Sequence, residues 1–203
     1  DGPCPACAPA RIEAEDVEAF APLALTLEAD ALLGLAERMV GRGVPVDALL
    51  VDLLAPTARR LGEFWEEDRC DFVDVTMALW RLQEVVRHLV DGPERGRATG
   101  HGGRRALFAT MPGDQHSFGT VVIDEIFREA GWETLRIGDA EAMELIGQVA
   151  TDWFDLVGLT VTCDRHLARL RSLIAAIRNV SRNPRPCVMV GGRIFVDNPG
   201  MAV

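Results

Sequence analysis

The chain has 203 residues, nearly half of them apolar and about a quarter charged, with a formal net charge of −10. That length suits one domain or two small ones. There is no apolar run of roughly 20 residues and no basic stretch followed by an apolar one near the start, so a soluble, cytoplasmic protein without a membrane span or secretion signal is expected. All 21 basic residues are Arg and none is Lys. With an acidic balance, this argues against nucleic acid as a direct partner and in favour of protein partners.

The chain begins with Asp1 and ends at GMAV, so a piece of a longer polypeptide is expected. Residues 1–12 read as a flexible leader; its Cys4 and Cys7 form a CPAC pair without a second pair at zinc spacing. Cys70, Cys163 and Cys187 fall in or beside predicted elements, where a reduced thiol packs as a small apolar group.

Residues 13–90 read as a bundle of about four helices. A short helix over Ile12 to Phe20 leads. Leu27, Leu32, Leu35, Met39 and Val40 then recur at helical spacing up to a GRG break. Pro45 opens a longer helix with the stripe Val46, Leu49, Leu50, Leu53, Leu54, Leu61, Phe64 and Trp65. A last stripe, Phe72, Val75, Leu79, Leu82, Val86 and Leu89, follows the polar EEDRCD corner. Trp65 and Trp80 sit on these stripes, so a core position is expected for both, with a cofactor-facing aromatic as the other reading.

Residues 91–104, rich in Gly and Arg, read as a linker. Beyond it the rhythm changes. Strand-like runs start near Arg105, Trp132, Asp155 and Pro186, with helical stripes between them at Phe118, Val121, Val122 and Ile126, at Met143, Ile146 and Val149, and at Leu167, Leu170, Ile174 and Ile177. This is the βαβ pattern, so residues 105–203 are expected to form an α/β domain, a flavodoxin-like (Rossmann-type) parallel sheet with flanking helices. A flavodoxin-like sheet has five strands; four are visible, and the last is expected to be absent or replaced.

Such sheets bind ligands beyond the carboxyl ends of their strands. The first strand ends in GDQHSFG, Gly113 to Gly119. A loop His there can offer one ring nitrogen to a metal while the other donates to a carboxylate that fixes its tautomer. Asp114 is placed to be that carboxylate, and Gly119 would let a bulky group approach the backbone. His88, His101 and His166 lack such a setting and read as solvated or capping residues.

Asp114, His116 and Gly119 complete a D-x-H-x-x-G element. Thr160-Val161-Thr162 stands where an S-x-L element would follow, and Gly191-Gly192 where a G-G element would close the pattern. Together they resemble the cobalamin-binding fold of methionine synthase, the cobalamin-dependent mutases and the cobalamin photoreceptors. The resemblance implies that His116 is the axial metal ligand and Asp114 its partner, that Gly119, Thr160, Gly191 and Gly192 line the slot for the cofactor's tail, and that Ser117 and Thr162 also belong to the cofactor-binding set. It also implies that a preceding helical bundle, Trp65 included, caps the cofactor. Thr162 departs from the pattern's Leu.

The photoreceptors carry W-x9-E-H in their cap; counted from Trp65, this chain has Val75-Thr76 at that pair. The stretch FWEEDRCDFVDVTMALWRLQEVVRHL instead resembles the AppA, PpaA and AerR antirepressors of purple bacterial photosynthesis genes, whose module has been called a sensor containing heme instead of cobalamin. The AppA type is the expected member, with a flavin domain upstream and a Cys-rich tail downstream of this piece. The resemblance implies a non-catalytic sensor of light and redox state that binds heme or cobalamin and acts on a DNA-binding transcriptional repressor of the PpsR or CrtJ kind. Two alternatives stand beside it: a cofactor-free interaction domain on the same fold, and a corrinoid carrier subunit of a methyltransferase. No P-loop, G-x-S-x-G or acidic phosphoacceptor pair supports an enzyme or a response regulator.

Overall fold

The computed structural model describes residues 11–90, 103–114, 116–138, 141–198 and 200. Residues 1–10 of the leader and nearly all of the linker lie outside the described residues, as does His101. The chain divides into two compact units, a helical one and an α/β one.

The helical unit contains α1 (Ala14–Thr26), α2 (Ala29–Gly41), α3 (Val46–Ala48), a π-helical stretch (Leu49–Leu54), α4 (Ala55–Glu66) and α5 (Phe72–Val90). The leading helix is longer than its apolar stripe suggests and runs to Thr26. Leu27, assigned by periodicity to the second helix, is instead the residue that ends α1. The Pro45-opened segment is one helical run with a π turn just before Pro56, where Ala55 N–H reaches Leu50 O. Proline has no N–H for an ordinary helical bond and crowds the preceding turn, and a wider turn absorbs both defects.

Two of the helices stop in the same way. After α2, Gly43 at φ +92° sends its N–H to Val40 O while Val44 N–H reaches back to Met39 O. After α4, Asp68 N–H bonds Trp65 O and Arg69 N–H bonds Phe64 O. This is the Schellman closure, which needs a left-handed residue; in the second case it is Asp68, at φ 56°.

The helical core holds Leu32, Leu49, Leu50, Leu53, Leu54, Leu61, Phe64, Leu82, Val86 and Leu89. Trp65 and Trp80 are not part of it. Each is 51% exposed, and Phe72 is 69% exposed. The stripe on α5 is buried from Ala78 onward, and its first two turns stand outside. Trp65 meets the edge of Phe72 at a centroid distance of 6.5 Å.

The α/β unit runs β1 (Arg105–Thr110), α6 (Phe118–Glu129), β2 (Glu133–Ile137), α7 (Ala142–Thr151), β3 (Leu156–Thr160), a 3-10 turn (Asp164–His166), α8 (Leu167–Val180), β4 (Cys187–Gly191) and α9 (Arg193–Asp197). The described strands form one parallel sheet in the order β2-β1-β3-β4. Leu107, Ala109, Val157 and Leu159 face one way, into a core with Leu145 and Val149 of α7 and Leu170, Leu173 and Ile177 of α8. Ala106, Phe108 and Leu156 face the other, against Ile123 and Phe127 of α6. That alternation is what a parallel sheet covered by helices requires. Within it Gly158 is obligatory small: a Cβ there would stand 2.5 Å from the Phe108 ring.

Met143, expected in the core, is 76% exposed; Leu145 takes the buried position on α7. Cys187 is exposed, because β4 is an edge strand of the described sheet. His88 is solvated as expected, with Nδ1 on Glu84 O at 2.9 Å. His166 is not: it is buried, and its Nε2 accepts from Arg165 Nε at 3.2 Å.

Candidate functional site

In the strand order β2-β1-β3-β4 the chain leaves β1 toward one edge and β3 toward the other. The crevice between their carboxyl ends is the place where loops diverge and a ligand can enter. The sequence on both sides of it is Met111 to Phe118 after β1 and Val161 to Asp164 after β3.

The first loop begins by extending the sheet, with Met111 N–H donating to Thr160 O at 3.0 Å. It then reverses in a tight turn: Pro112 takes the second position, Gly113 the third at φ +84°, and Asp114 N–H closes on Met111 O at 2.8 Å. Proline followed by a left-handed glycine is the signature of a type II turn. The turn carries Asp114 inward, where only 2% of its surface remains exposed. The Pro-Gly dipeptide is the signal for this placement, and the motif-based reading passed over it.

Asp114 is saturated by hydrogen bonds. Its Oδ1 accepts from His116 N–H at 3.1 Å and from His116 Nδ1 at 2.8 Å. A side-chain oxygen reaching the N–H two residues on is an Asx turn. The same geometry brings the ring of residue i+2 onto the same oxygen, which is why the acid stands two positions before the histidine. Its Oδ2 accepts from Thr162 N–H at 3.1 Å and from Thr162 Oγ1 at 2.5 Å. Burial by itself raises the Asp114 pKa, but the hydrogen bonds from Thr162 and His116 outweigh it and leave the carboxyl below its ordinary value. The group is therefore a buried carboxylate.

A carboxylate can only accept, so His116 Nδ1 carries the proton and Nε2 of the neutral ring keeps its lone pair. The His116 side chain is 75% exposed. Its inner nitrogen is fixed and its outer nitrogen faces solvent, the arrangement of a histidine ready to ligate a metal. Among the described residues no three His, Cys, Asp or Glu side chains gather into a metal site. A metal taken by His116 must bring most of its own ligands, as a metal in a macrocycle does.

Thr162 stands where the S-x-L element has its last residue, and its departure from Leu has a use here: the hydroxyl is the shortest of Asp114's contacts. It also lies 3.2 Å from His116 Nδ1. Thr160 ends β3 in register with Gly191 of β4. A Cβ on Gly119 would come within 3.6 Å of Thr160 Cγ2, an ordinary contact, so Gly119 leaves a shallow space rather than relieving a clash. Ser117 precedes α6 without capping it by its side chain; its carbonyl accepts from Thr120 Oγ1 at 2.6 Å.

The two closing glycines differ. Gly191 O accepts from Val161 N–H at 2.8 Å, and a Cβ on Gly191 would meet nothing. Gly192 adopts φ +120°, and a Cβ there would lie 2.1 Å from Val161 O. Gly192 thus lets β4 turn tightly against the extension of β3. Beside the motif lies an open depression of about 570 Å³ lined by His116, Thr162, Cys163, Asp164 and Arg165. Cys163, Asp164 and Arg165 carry no motif signal and are added by the fold. Trp65 belongs to the helical unit and is described with it above.

These features fit a corrinoid: a histidine with its inner nitrogen engaged, space at Gly119 and Gly191, and Gly192 where a side chain would crowd the backbone. Two family models, each described as a B12 binding domain, match residues 17–90 and residues 104–202. A Rhodobacter capsulatus protein described as an uncharacterized 20.5 kDa protein in the bchF-crtJ intergenic region is 28% identical over 154 residues, covering 74% of this chain and 78% of that one. The monomethylamine corrinoid protein of Methanosarcina barkeri superposes with a TM-score of 0.67 at 15% identity, over 88% of this chain and 84% of that one. The chain therefore carries the fold of the cobalamin-binding corrinoid proteins, with a helical and an α/β B12 binding domain in succession.

Proposed function

We propose that this chain is a non-catalytic regulatory protein that binds cobalamin through His116. In this reading it acts, in response to light or redox state, as an antirepressor on a DNA-binding repressor of photosynthesis genes of the PpsR or CrtJ kind. The observation that carries the cofactor assignment is the Asp114–His116 pair, with Nδ1 held at 2.8 Å and Nε2 facing solvent. A bound cobalamin would supply a cobalt centre responsive to light and redox state. His116 would hold that metal; Asp114 and Thr162 would keep the imidazole in one tautomer and orientation. Gly119, Thr160, Gly191 and Gly192 would border the tail. A heme would use the same nitrogen, and the two are separated by titration.

The regulatory assignment is supported by the resemblance of residues 64–89 to the AppA, PpaA and AerR antirepressors, the AppA type included. The relative's description also places it beside crtJ. The output follows from ligation changing which state of the protein is favoured, since a ligand shifts an equilibrium only through differential affinity.

The test has two arms. Absorption titration with hydroxocobalamin and, separately, hemin is run on the protein and on His116→Ala. The expected result is about one cobalamin per chain with an axial-ligand shift that the variant loses; equal binding by the variant overturns the ligand assignment. In the second arm, a PpsR- or CrtJ-type repressor is bound to its promoter fragment in a mobility-shift assay. The loaded protein is expected to release the DNA, and a repressor unaffected by it overturns the antirepressor role.

A further inference from the structure

The net charge of −10 is unevenly distributed. Residues 11–90 hold sixteen Asp and Glu against eight Arg, whereas between Asp164 and Asp197 there are seven Arg and no acid at all. Four of those arginines lie on α8 or just after it: Arg169, Arg171, Arg178 and Arg182, all exposed. None of the four forms an ion pair among the described residues; Arg182 Nη1 donates to Thr151 O at 3.0 Å.

Their placement is ordered. The core-facing side of α8 is Leu170, Leu173 and Ile177. Opposite it, Ala168, Ser172, Ala175 and Asn179 follow one another at spacings of four, three and four, and all are exposed. At about 100° per residue these form one seam along the helix, with Arg169 on one flank and Arg171 and Arg178 on the other. Small residues along a seam let another helix approach closely. Charged residues on both flanks correspond to the positions that choose a helical partner by opposite charge.

We infer that the outer face of α8 is a docking surface for an acidic helix of a partner protein, one presenting small residues along its seam and Glu or Asp on both flanks. Arginine suits this role because its planar guanidinium takes a carboxylate through two parallel hydrogen bonds. A nucleic-acid backbone fits less well: affinity for phosphates rests on a favourable overall charge as well as on clustered Arg, and this chain carries a net −10. A single helix presents a charged strip only as long as α8, roughly 20 Å for its residues. The surface lies apart from the motif glycines and from His116 in sequence, and its docking role does not depend on cobalamin binding.

The test is fluorescence anisotropy on the full 203-residue chain. The probe is a labelled synthetic helix of about three heptads with Ala along its seam and Glu on both flanks. A random-sequence DNA duplex is the second probe. The charge-reversed variant is Arg169→Glu/Arg171→Glu/Arg178→Glu, with the corresponding Gln triple as a milder form and Arg38→Glu/Arg42→Glu, on α2 and at its C-terminal end, as control. Circular dichroism establishes folding, and the Gln triple decides the matter if the Glu triple does not fold. The wild type is expected to bind the acidic helix with an affinity that falls as salt rises. The Glu triple should weaken binding about tenfold or more, the Gln triple by less, and the control by under about twofold. No binding by wild type, equal loss in the control, or unchanged binding by the Glu and Gln triples overturns the inference. Tighter binding of the duplex than of the helix overturns it too, and makes the face a phosphate-contacting one.

Discussion

Thr162 Oγ1 lies 2.5 Å from Asp114 Oδ2, joining the loop after β3 to the loop after β1 through one buried carboxylate. The contact crosses the crevice between the two central strands, so the histidine's orientation depends on both loops. Removing the hydroxyl while keeping the shape, as in Thr162→Val, leaves one lobe of a buried carboxylate short of a donor. Bonds to charged groups contribute about 1.5–3 kcal/mol, and the backbone N–H of Thr162 remains, so a loss of about 1–2 kcal/mol is expected. Urea denaturation checks this, with Thr162→Ser expected to stay near wild type. His116→Ala, at an exposed side chain, should cost under about 1 kcal/mol, which separates ligand loss from unfolding.

The Asp114 carboxyl titrates below its ordinary value of 3.8 in the folded protein. An acid whose folded pKa is depressed binds fewer protons folded than unfolded, so it stabilises the fold above the unfolded pKa. That contribution is lost as pH falls through the folded pKa. Wild type should therefore exceed Asp114→Asn in stability above about pH 4, the ordinary carboxylate range, and the gap should close at lower pH. Denaturant midpoints of both proteins across pH 2.5 to 7, on the order of half a unit apart, measure it. A gap that widens on acidification would contradict the assignment of a hydrogen-bonded carboxylate.

Gly191 and Gly192 should respond differently to Ala. A Cβ on Gly192 would lie 2.1 Å from Val161 O at a φ of +120°, while Gly191 has open space. Backbone strain of this kind costs about 1–3 kcal/mol before any clash. Gly192→Ala is expected to lower stability by at least about 2 kcal/mol and Gly191→Ala by no more than about 1 kcal/mol. Thermal melts of the two variants side by side decide it.

Asp68 closes α4 from the left-handed region, at φ 56°. It is exposed, and its own side chain makes no hydrogen bond among the described residues. Glycine enters that region without the Cβ penalty. Asp68→Gly should raise stability by about 0.5–1 kcal/mol, read as a higher denaturation midpoint. A decrease would mean that the carboxylate has a role at this corner beyond the backbone turn.

Much of the architecture is legible in the chain itself. The 30-residue rhythm of β1 to β4 follows from apolar runs separated by amphipathic helices, because a covered parallel sheet demands both. Asp114, His116 and the glycine pair could be located because a motif is a matter of spacing along one chain. Local periodicity also misled. Trp65, Trp80, Phe72 and Met143 share helical stripes with core residues yet stand exposed, since a stripe records which residues share a face and not what covers it. His166 reads as solvated but is buried, and its ring takes a hydrogen bond from the adjacent Arg165 instead of from water.

What only the tertiary structure decided is the chemistry of the pair. The sequence by itself determined that an acid precedes a histidine by two residues at a strand end. Whether that acid is buried, ionised and held from its far side depends on Thr162, 48 positions away, and on the switch point that brings β1 and β3 together. A contact between distant residues has no local signature. It exists only once the sheet has formed and paid the entropy of closing the chain between them.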